Sequence, residues 1–285
     1  MITPRRRTAL VSGASSGIGA AACRALAARG YDLFLGGRNQ DRLQGLQSEL
    51  EAAYPGQRFL ARLFDVRREK EIDEAVAEMI RAFGKIDLLV TSAGVGTMDF
   101  LDRLDPSEGI VRQIDTNLTG TILLSRAVLP SMIGRRAGTI ILVGSLAGLV
   151  AMPTYSIYAA TKFGLRGFAE ALRREVGIWG IHVVLFLPGT VDTNLAADSV
   201  ARRRTGLRTP RRMVLRAKHV GEVIADLAER PRALLILPRR VVPVIWLARW
   251  WPRAVDWIVE KVFVRRERIE EMASGPAGRN SGERS

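Results

Sequence analysis

Short, almost uninterrupted apolar runs alternate along the chain with longer stretches in which apolar residues recur every three or four positions. Thr8 to Val11, Tyr31 to Leu35, Arg58 to Phe64, Ile86 to Val90, Thr139 to Val143, His182 to Leu187 and Ala233 to Leu237 read as strands. Ala20 to Ala28, Gln40 to Tyr54, Glu69 to Phe83, Asn117 to Met132, about Tyr155 to Ile178 and Val220 to Glu229 read as helices, with stop signals at Arg29-Gly30 and Pro55-Gly56. Strands that are apolar almost throughout, each followed by a helix, predict an α/β fold with a doubly wound parallel sheet covered on both faces. Ala196 to Arg216 is polar, basic and without period, which predicts a mobile loop on the ligand side of that sheet.

A length of 285 residues suits one large α/β unit, expected over 1–237, followed by an amphipathic extension over 238–273 and a disordered tail over 274–285 rich in Gly, Ser and charge. No apolar run is long enough to cross a bilayer, and the short run after Arg5-Arg6-Arg7 ends too soon for a secretory signal. The single cysteine, Cys23, excludes an intramolecular disulfide and sits among alanines, as a buried small hydrophobe does. Cytoplasmic placement is expected, on the inner face of a membrane if the extension meets lipid. The formal net charge of +14 is uneven: Arg202 to the C-terminus holds 20 Lys/Arg against 9 Asp/Glu, and Arg5 to Arg7 add three more cations. That distribution points to an anionic surface near the C-terminal part, with lipid favoured over nucleic acid. Arginines solvating an otherwise apolar surface explain the same distribution.

Chemistry enters with the run Ser12-Gly13-Ala14-Ser15-Ser16-Gly17-Ile18-Gly19, placed between the first strand and the first helix. Glycines there let backbone approach a pyrophosphate, whose charge meets the helix N-terminus. At the end of the second strand an acid would hold the ribose of NAD, but the chain reads Gly36-Gly37-Arg38. A guanidinium suits a 2′-phosphate, so NADP(H) is the preferred cofactor and NAD(H) the alternative. Tyr158 and Lys162 stand four residues apart on a helix, with Ser145 thirteen residues before Tyr158. An ammonium one turn from a phenol is expected to lower the phenol's pKa towards the range of a proton donor and acceptor. The glycine turn, Asp65, Ser92 to Gly94, Ser145 and Pro188-Gly189 all follow expected strands, which gathers them on one rim of the sheet.

From Thr8 to Thr193 the sequence resembles the short-chain dehydrogenase/reductase family, whose motifs are matched in order by Gly13, Gly17 and Gly19; Asp65; Ala93-Gly94; Asn117; Ser145; Tyr158 with Lys162; and Pro188-Gly189 followed by Thr193. One position departs: Ser92 stands where the family usually has Asn, and altered support of the central strand is expected there. The resemblance implies a Rossmann fold and cofactor contacts from Gly13, Ser15, Ser16, Gly17, Ile18 and Gly19, from Arg38, and from Asp65 and Val66 near adenine. It implies further contacts from Ser92, Ala93 and Gly94, and from Tyr158, Lys162, Pro188, Gly189, Val191 and Thr193 towards the nicotinamide. Its catalytic set is Asn117, Ser145, Tyr158 and Lys162, with no metal ligand. Tyr158 exchanges a proton with the substrate oxygen, Ser145 hydrogen-bonds that oxygen, Lys162 holds the ribose, and Asn117 positions a relay water. A dimer or tetramer through the helices of Asn117 and Tyr158 is also implied.

Pro238 to Val264 gathers Trp246, Trp250, Trp251 and Trp257 beside arginines on short, proline-broken amphipathic segments. That composition suits a membrane interface; the resemblance implies as alternatives a cover for the substrate pocket or a contact between subunits, as similar tails in the family form. Together with the apolar stretch Leu149-Val150-Ala151-Met152-Pro153, it points to a small apolar carbonyl or alcohol as substrate. The rival function is a protein that holds NADP(H) as a regulatory ligand without turnover. The intact Ser145, Tyr158 and Lys162 set argues against that rival.

Overall fold

A computed structural model describes residues 6–193 and 213–265 of the chain. The strands are β1 (Thr8–Ser12), β2 (Asp32–Gly37), β3 (Phe59–Leu63), β4 (Leu88–Thr91), β5 (Gly138–Val143), β6 (Ile181–Pro188), the two-residue β7 (Val191–Asp192) and β8 (Leu215–Arg216), and β9 (Leu234–Leu237). Among the described residues, seven of them form a parallel sheet in the order β3-β2-β1-β4-β5-β6-β9, while β7 and β8 pair separately. The chain builds outward from β1 to β3, then returns to lay β4 on the other side of β1. The order therefore reverses between β1 and β4, where a crevice opens at the strands' carboxyl ends. Register keeps that rim level: Ser12 lies opposite Gly36 and Thr91, Thr91 opposite Leu142, and Val143 opposite Phe186.

The helices are α1 (Gly17–Ala28), α2 (Gln40–Ala53), α3 (Glu69–Phe83), the short α4 (Arg112–Ile114), α5 (Gly120–Arg135), α6 (Ser156–Val176), α7 (Ala217–Glu229), α8 (Val242–Trp250) and α9 (Pro252–Val259). Alternate strand residues bury on opposite faces. Val11, Leu35, Val90 and Phe186 pack with Leu26 of α1, Leu43 of α2 and Ile224 of α7. Leu10, Phe34, Leu89 and Leu142 pack with Met79 of α3, Val128 of α5 and Leu165 of α6. Two apolar layers on one sheet explain why the strands read as continuous apolar runs.

Strands and helices fall where the pattern puts them, with shifts of up to three residues at the ends. Two regions differ. Asn117, expected as the first residue of a long helix, lies in a π-helical turn (Asp115–Thr119) that closes a chain of helical turns beginning at Pro106. α5 itself starts at Gly120, where the backbone passes so close to the segment after β3 that a Cβ would sit 2.5 Å from the Val66 carbonyl oxygen. In the expected loop, residues 196–212 lie outside those described, while Leu215–Arg216 is a strand paired with Val191–Asp192. Two-residue strands leave no periodic signal. The expected tail over 274–285 also lies outside the described residues.

Gly120→Ala is expected to lower the unfolding free energy by about 1–3 kcal/mol, since backbone must move to admit the methyl group. Gly134→Ala in the same helix faces open space and should raise stability by up to about 1 kcal/mol. Urea unfolding of the two variants checks the opposite signs.

Candidate active site

The rim is built from strand ends. β1 runs into a turn whose Gly13 and Gly17 adopt φ of +72° and +55°, a backbone region that side chains disfavour. A Cβ on Gly13 would lie 2.7 Å from the Ala93 amide nitrogen, and one on Gly19 would overlap the Gly13 carbonyl oxygen. These glycines close the turn against α1 and β4. Ser92 secures the same junction: its backbone N–H and its hydroxyl both donate to the Ser12 carbonyl, at 3.2 and 2.7 Å. A serine thus supports the central strands in place of the amide expected there.

The turn opens into a cleft of about 470 Å³. Ser15, Ser16, Gly17 and Ile18 line it at the start of α1, where Ser16 makes no side-chain cap and no acid occupies the first turn. The first amides of α1 and its dipole therefore face the cleft with positive character. At its far end stand Arg38, which is exposed, and Asp65 with Val66. Burial pushes the Asp65 carboxyl up, but the hydrogen-bonding side chain and backbone of Arg67 outweigh it and, with Arg38 nearby, hold it below the usual carboxylate range. Ala93 and Gly94 line the middle, and Thr193 reaches in beside Gly17.

At the other end, α6 carries Tyr158 and Lys162 into the cleft beside Val143 and Gly144. Lys162 is 5% exposed; its Nζ donates to the Val143 carbonyl at 3.2 Å and lies 5.6 Å from the Tyr158 ring centroid. Ser145 begins the turn Leu146–Gly148, where its Oγ accepts from the Ala147 amide at 3.2 Å, and it also hydrogen-bonds Tyr158. The expected lowering of the phenol's pKa is not what this arrangement produces. Burial raises Tyr158 above the ordinary phenol range, the Ser145 hydrogen bond pulls it down, and Tyr155 pushes it up. Burial also lowers Lys162 to about 8. The reason is shared: both groups lose water, and the ammonium is turned to a backbone carbonyl instead of the phenol oxygen.

Asn117 is fully buried and does not line the cleft. Its Oδ1 accepts from the Val95 amide and its Nδ2 donates to the Val95 carbonyl, each at 2.8 Å, with Thr161 Oγ1 at 3.4 Å. The side chain thus clamps the loop after β4 against α6. Gly19, Ser145, Pro188, Gly189 and Val191 also stand outside the cleft lining. Gly189 donates to the Leu237 carbonyl at 2.7 Å, tying the end of β6 to β9.

Sequence reasoning missed Asn39, Arg42, Arg112 and Thr116, all on the cleft wall. Asn39 caps α2 by accepting from the Arg42 amide, a start signal legible before Gln40 that sets Arg42 one turn beyond Arg38. Arg112 and Thr116 lie in the helical turns that strand-and-helix periodicity passed over. Ser12 Oγ, Arg112 Nε and Thr116 Oγ1 are buried without a protein partner on three residues lining the cleft. Those polar atoms, the glycine cradle and the open helix N-terminus fit a polar, anionic, dinucleotide-sized ligand.

Residues 7–204 match the family model of the short chain dehydrogenases. Dehydrogenase/reductase SDR family member 7B of Danio rerio is 34% identical over 199 residues, covering 68% of this chain and 64% of that protein. The chain thus spans slightly less than two thirds of that relative's length. An uncharacterized oxidoreductase of Mycobacterium tuberculosis (strain CDC 1551 / Oshkosh) is 30% identical over 268 residues, covering 92% of this chain and 97% of its own. Among solved structures, a short-chain dehydrogenase from Sphingobium yanoikuyae in complex with NADPH is 28% identical, with a TM-score of 0.73 over 90% of this chain and 94% of that one.

Asn117→Ala leaves both backbone groups of Val95, which are part-buried beside the cleft, without their partner. It should cost about 0.5–1.5 kcal/mol for each lost hydrogen bond in urea unfolding. Equal stability in parent and variant would show that the clamp carries no load.

Proposed function

The chain belongs to the short-chain dehydrogenase family of oxidoreductases, and from that membership we propose that it interconverts a ketone and a secondary alcohol on an apolar substrate, with NADP(H) as cofactor. The observation that carries the reading is that Tyr158, hydrogen-bonded by Ser145 from behind the cleft wall, and Lys162 line one end of a cleft that also holds a glycine cradle and Arg38. A nicotinamide dinucleotide, when bound, supplies or accepts the hydride.

The chain's own groups manage the proton and the position. Tyr158, protonated at neutral pH as any phenol is and held so further into the alkaline range by burial, donates to the carbonyl oxygen during reduction. Ser145 hydrogen-bonds that oxygen as charge develops on it, having already oriented the phenol. Lys162, tied to Val143, lines the cleft and would offer its remaining N–H groups to the ribose hydroxyls of a bound cofactor. Alcohol oxidation needs the phenolate. Because the phenol's pKa is raised, the oxidative rate climbs with pH while reduction holds through neutrality.

Support for NADP(H) comes from the guanidinium of Arg38 at the end of β2, in the position where an acid would favour NAD. The amides and dipole of α1 receive the pyrophosphate. Support for an apolar substrate comes from Leu149 to Pro153, between Ser145 and Tyr155, and from Met98, whose Cε and the Tyr158 ring both border Gly96. A sugar would find few partners there.

Turnover of a panel of lipophilic ketones with NADPH, followed at the reduced-nicotinamide absorbance, tests the activity. Oxidation of NADPH with at least one ketone is expected; NADPH binding without turnover across the panel would favour the regulatory reading. Arg38→Ala should raise the KM for NADPH by about tenfold or more and leave that for NADH nearly unchanged. An unaltered preference would defeat the choice of NADP(H).

A further inference from the structure

The helices α8 and α9 present a surface that the chemistry above does not use. Trp246, Leu247, Trp250 and Trp251 are exposed on α8 and the bend after it, Trp250 at 74% and Trp251 at 63%. Trp257, Ile258 and Val262 continue the surface along α9 and the turn that follows. Trp246 and Trp250 stand one helical turn apart, as do Ile258 and Val262, so the apolar groups share faces. Phe263, in that same turn, is buried.

Cations accompany these indoles along the sequence. From Pro238 to Arg265 there are six Lys/Arg against two Asp/Glu, and Lys261 Nζ lies 4.3 Å from the Trp257 ring centroid. Indoles with an apolar body and a polar N–H, beside cations on long stems, match the boundary between lipid tails and anionic headgroups. A second copy docking through the same surface would set one cationic excess against another, which disfavours it. At about 1.5 Å per residue, helices of nine and eight residues reach less than half of a ~30 Å hydrocarbon core. No helix among the described residues is long and apolar enough to cross a membrane. The segment lies along a bilayer surface.

Its place in the fold gives this surface a use. β9 ends at Leu237, whose carbonyl binds Gly189, and the side chains of Pro238 and Leu146 both border Gly189. The chain therefore leaves the sheet at the rim that carries Ser145 and enters α8 after one short turn. We propose that α8 and α9 form an interfacial anchor for an anionic bilayer, which brings the Ser145 rim to the lipid surface so that an apolar substrate enters from the membrane. The loading step rests on the proposed function, whereas the seating rests on the tryptophan surface alone.

The test uses the full chain and vesicles of phosphatidylcholine, pure or mixed equally with phosphatidylglycerol. Sedimentation with the mixed vesicles and a blue shift of tryptophan emission are expected. Trp250→Ala with Trp251→Ala, and separately Arg253→Glu with Lys261→Glu, should reduce vesicle partitioning about tenfold or more. Neither pair should change turnover of a short, water-soluble ketone, which also reports that the variants fold. A parent protein that stays in the supernatant with both vesicles overturns the anchor. So does a tryptophan pair that alters the oligomeric state while vesicle binding persists. Vesicle binding without turnover of any ketone would uphold the seating and overturn the loading step together with the proposed function.

Discussion

One contact fixes the reacting end of the molecule: the ammonium of Lys162, buried within α6, donating to the Val143 carbonyl at the end of β5. A buried ammonium without partners is costly, so this hydrogen bond selects how α6 lies on the sheet. Tyr158 is then one turn away on the same helix, and Ser145 is two residues beyond Val143. Gly148 completes the joint, since a Cβ there would press on the Lys162 carbonyl at 2.7 Å. The contact remains strained in charge: Lys162 falls from its ordinary 10.5 to about 8. Between those values the unfolded chain holds a proton that the folded one has released. The group therefore opposes folding at neutral pH, and its opposition fades as pH rises through that interval.

The opposite end of the cleft obeys a different constraint. There backbone must come close to backbone, and glycine is the residue that permits it. Gly13 lies against Ala93, and Gly19 against Gly13, while Ser92 holds the Ser12 carbonyl with two donors. The result is a rigid junction at the point where strand order reverses. Positive character gathers beside it from the α1 amides, Arg38 and Arg42. The parallel sheet unites the two ends because its register puts Ser12, Thr91 and Leu142 side by side.

Much of this was legible in the sequence, for physical reasons. Strands buried on both faces write continuous apolar runs, so the sheet could be read from Thr8 to Leu237. Tyr158 and Lys162 are legible through helical spacing, and the glycine turn through its place after a strand. The turns between Leu101 and Thr119 were not read, although Asp105 followed by Pro106 is a helix-start signal and Asp105 does cap the Ser107 and Glu108 amides. Other features depend on partners distant in sequence. Asn117 looks like a helix residue until Val95 folds against it, and no local pattern shows that burial, rather than Lys162, governs the Tyr158 phenol.

The central claim is that the Tyr158 hydroxyl carries the proton while the rest of the cleft only binds and orients. Tyr158→Phe removes that oxygen and leaves the ring's packing in place. Its turnover of an apolar ketone with NADPH, measured beside NADPH binding by fluorescence titration, is the most direct test. The account predicts that turnover falls by about 10²–10⁴-fold with cofactor affinity nearly unchanged. A phenylalanine variant that reduces the ketone at the parent's rate would contradict it.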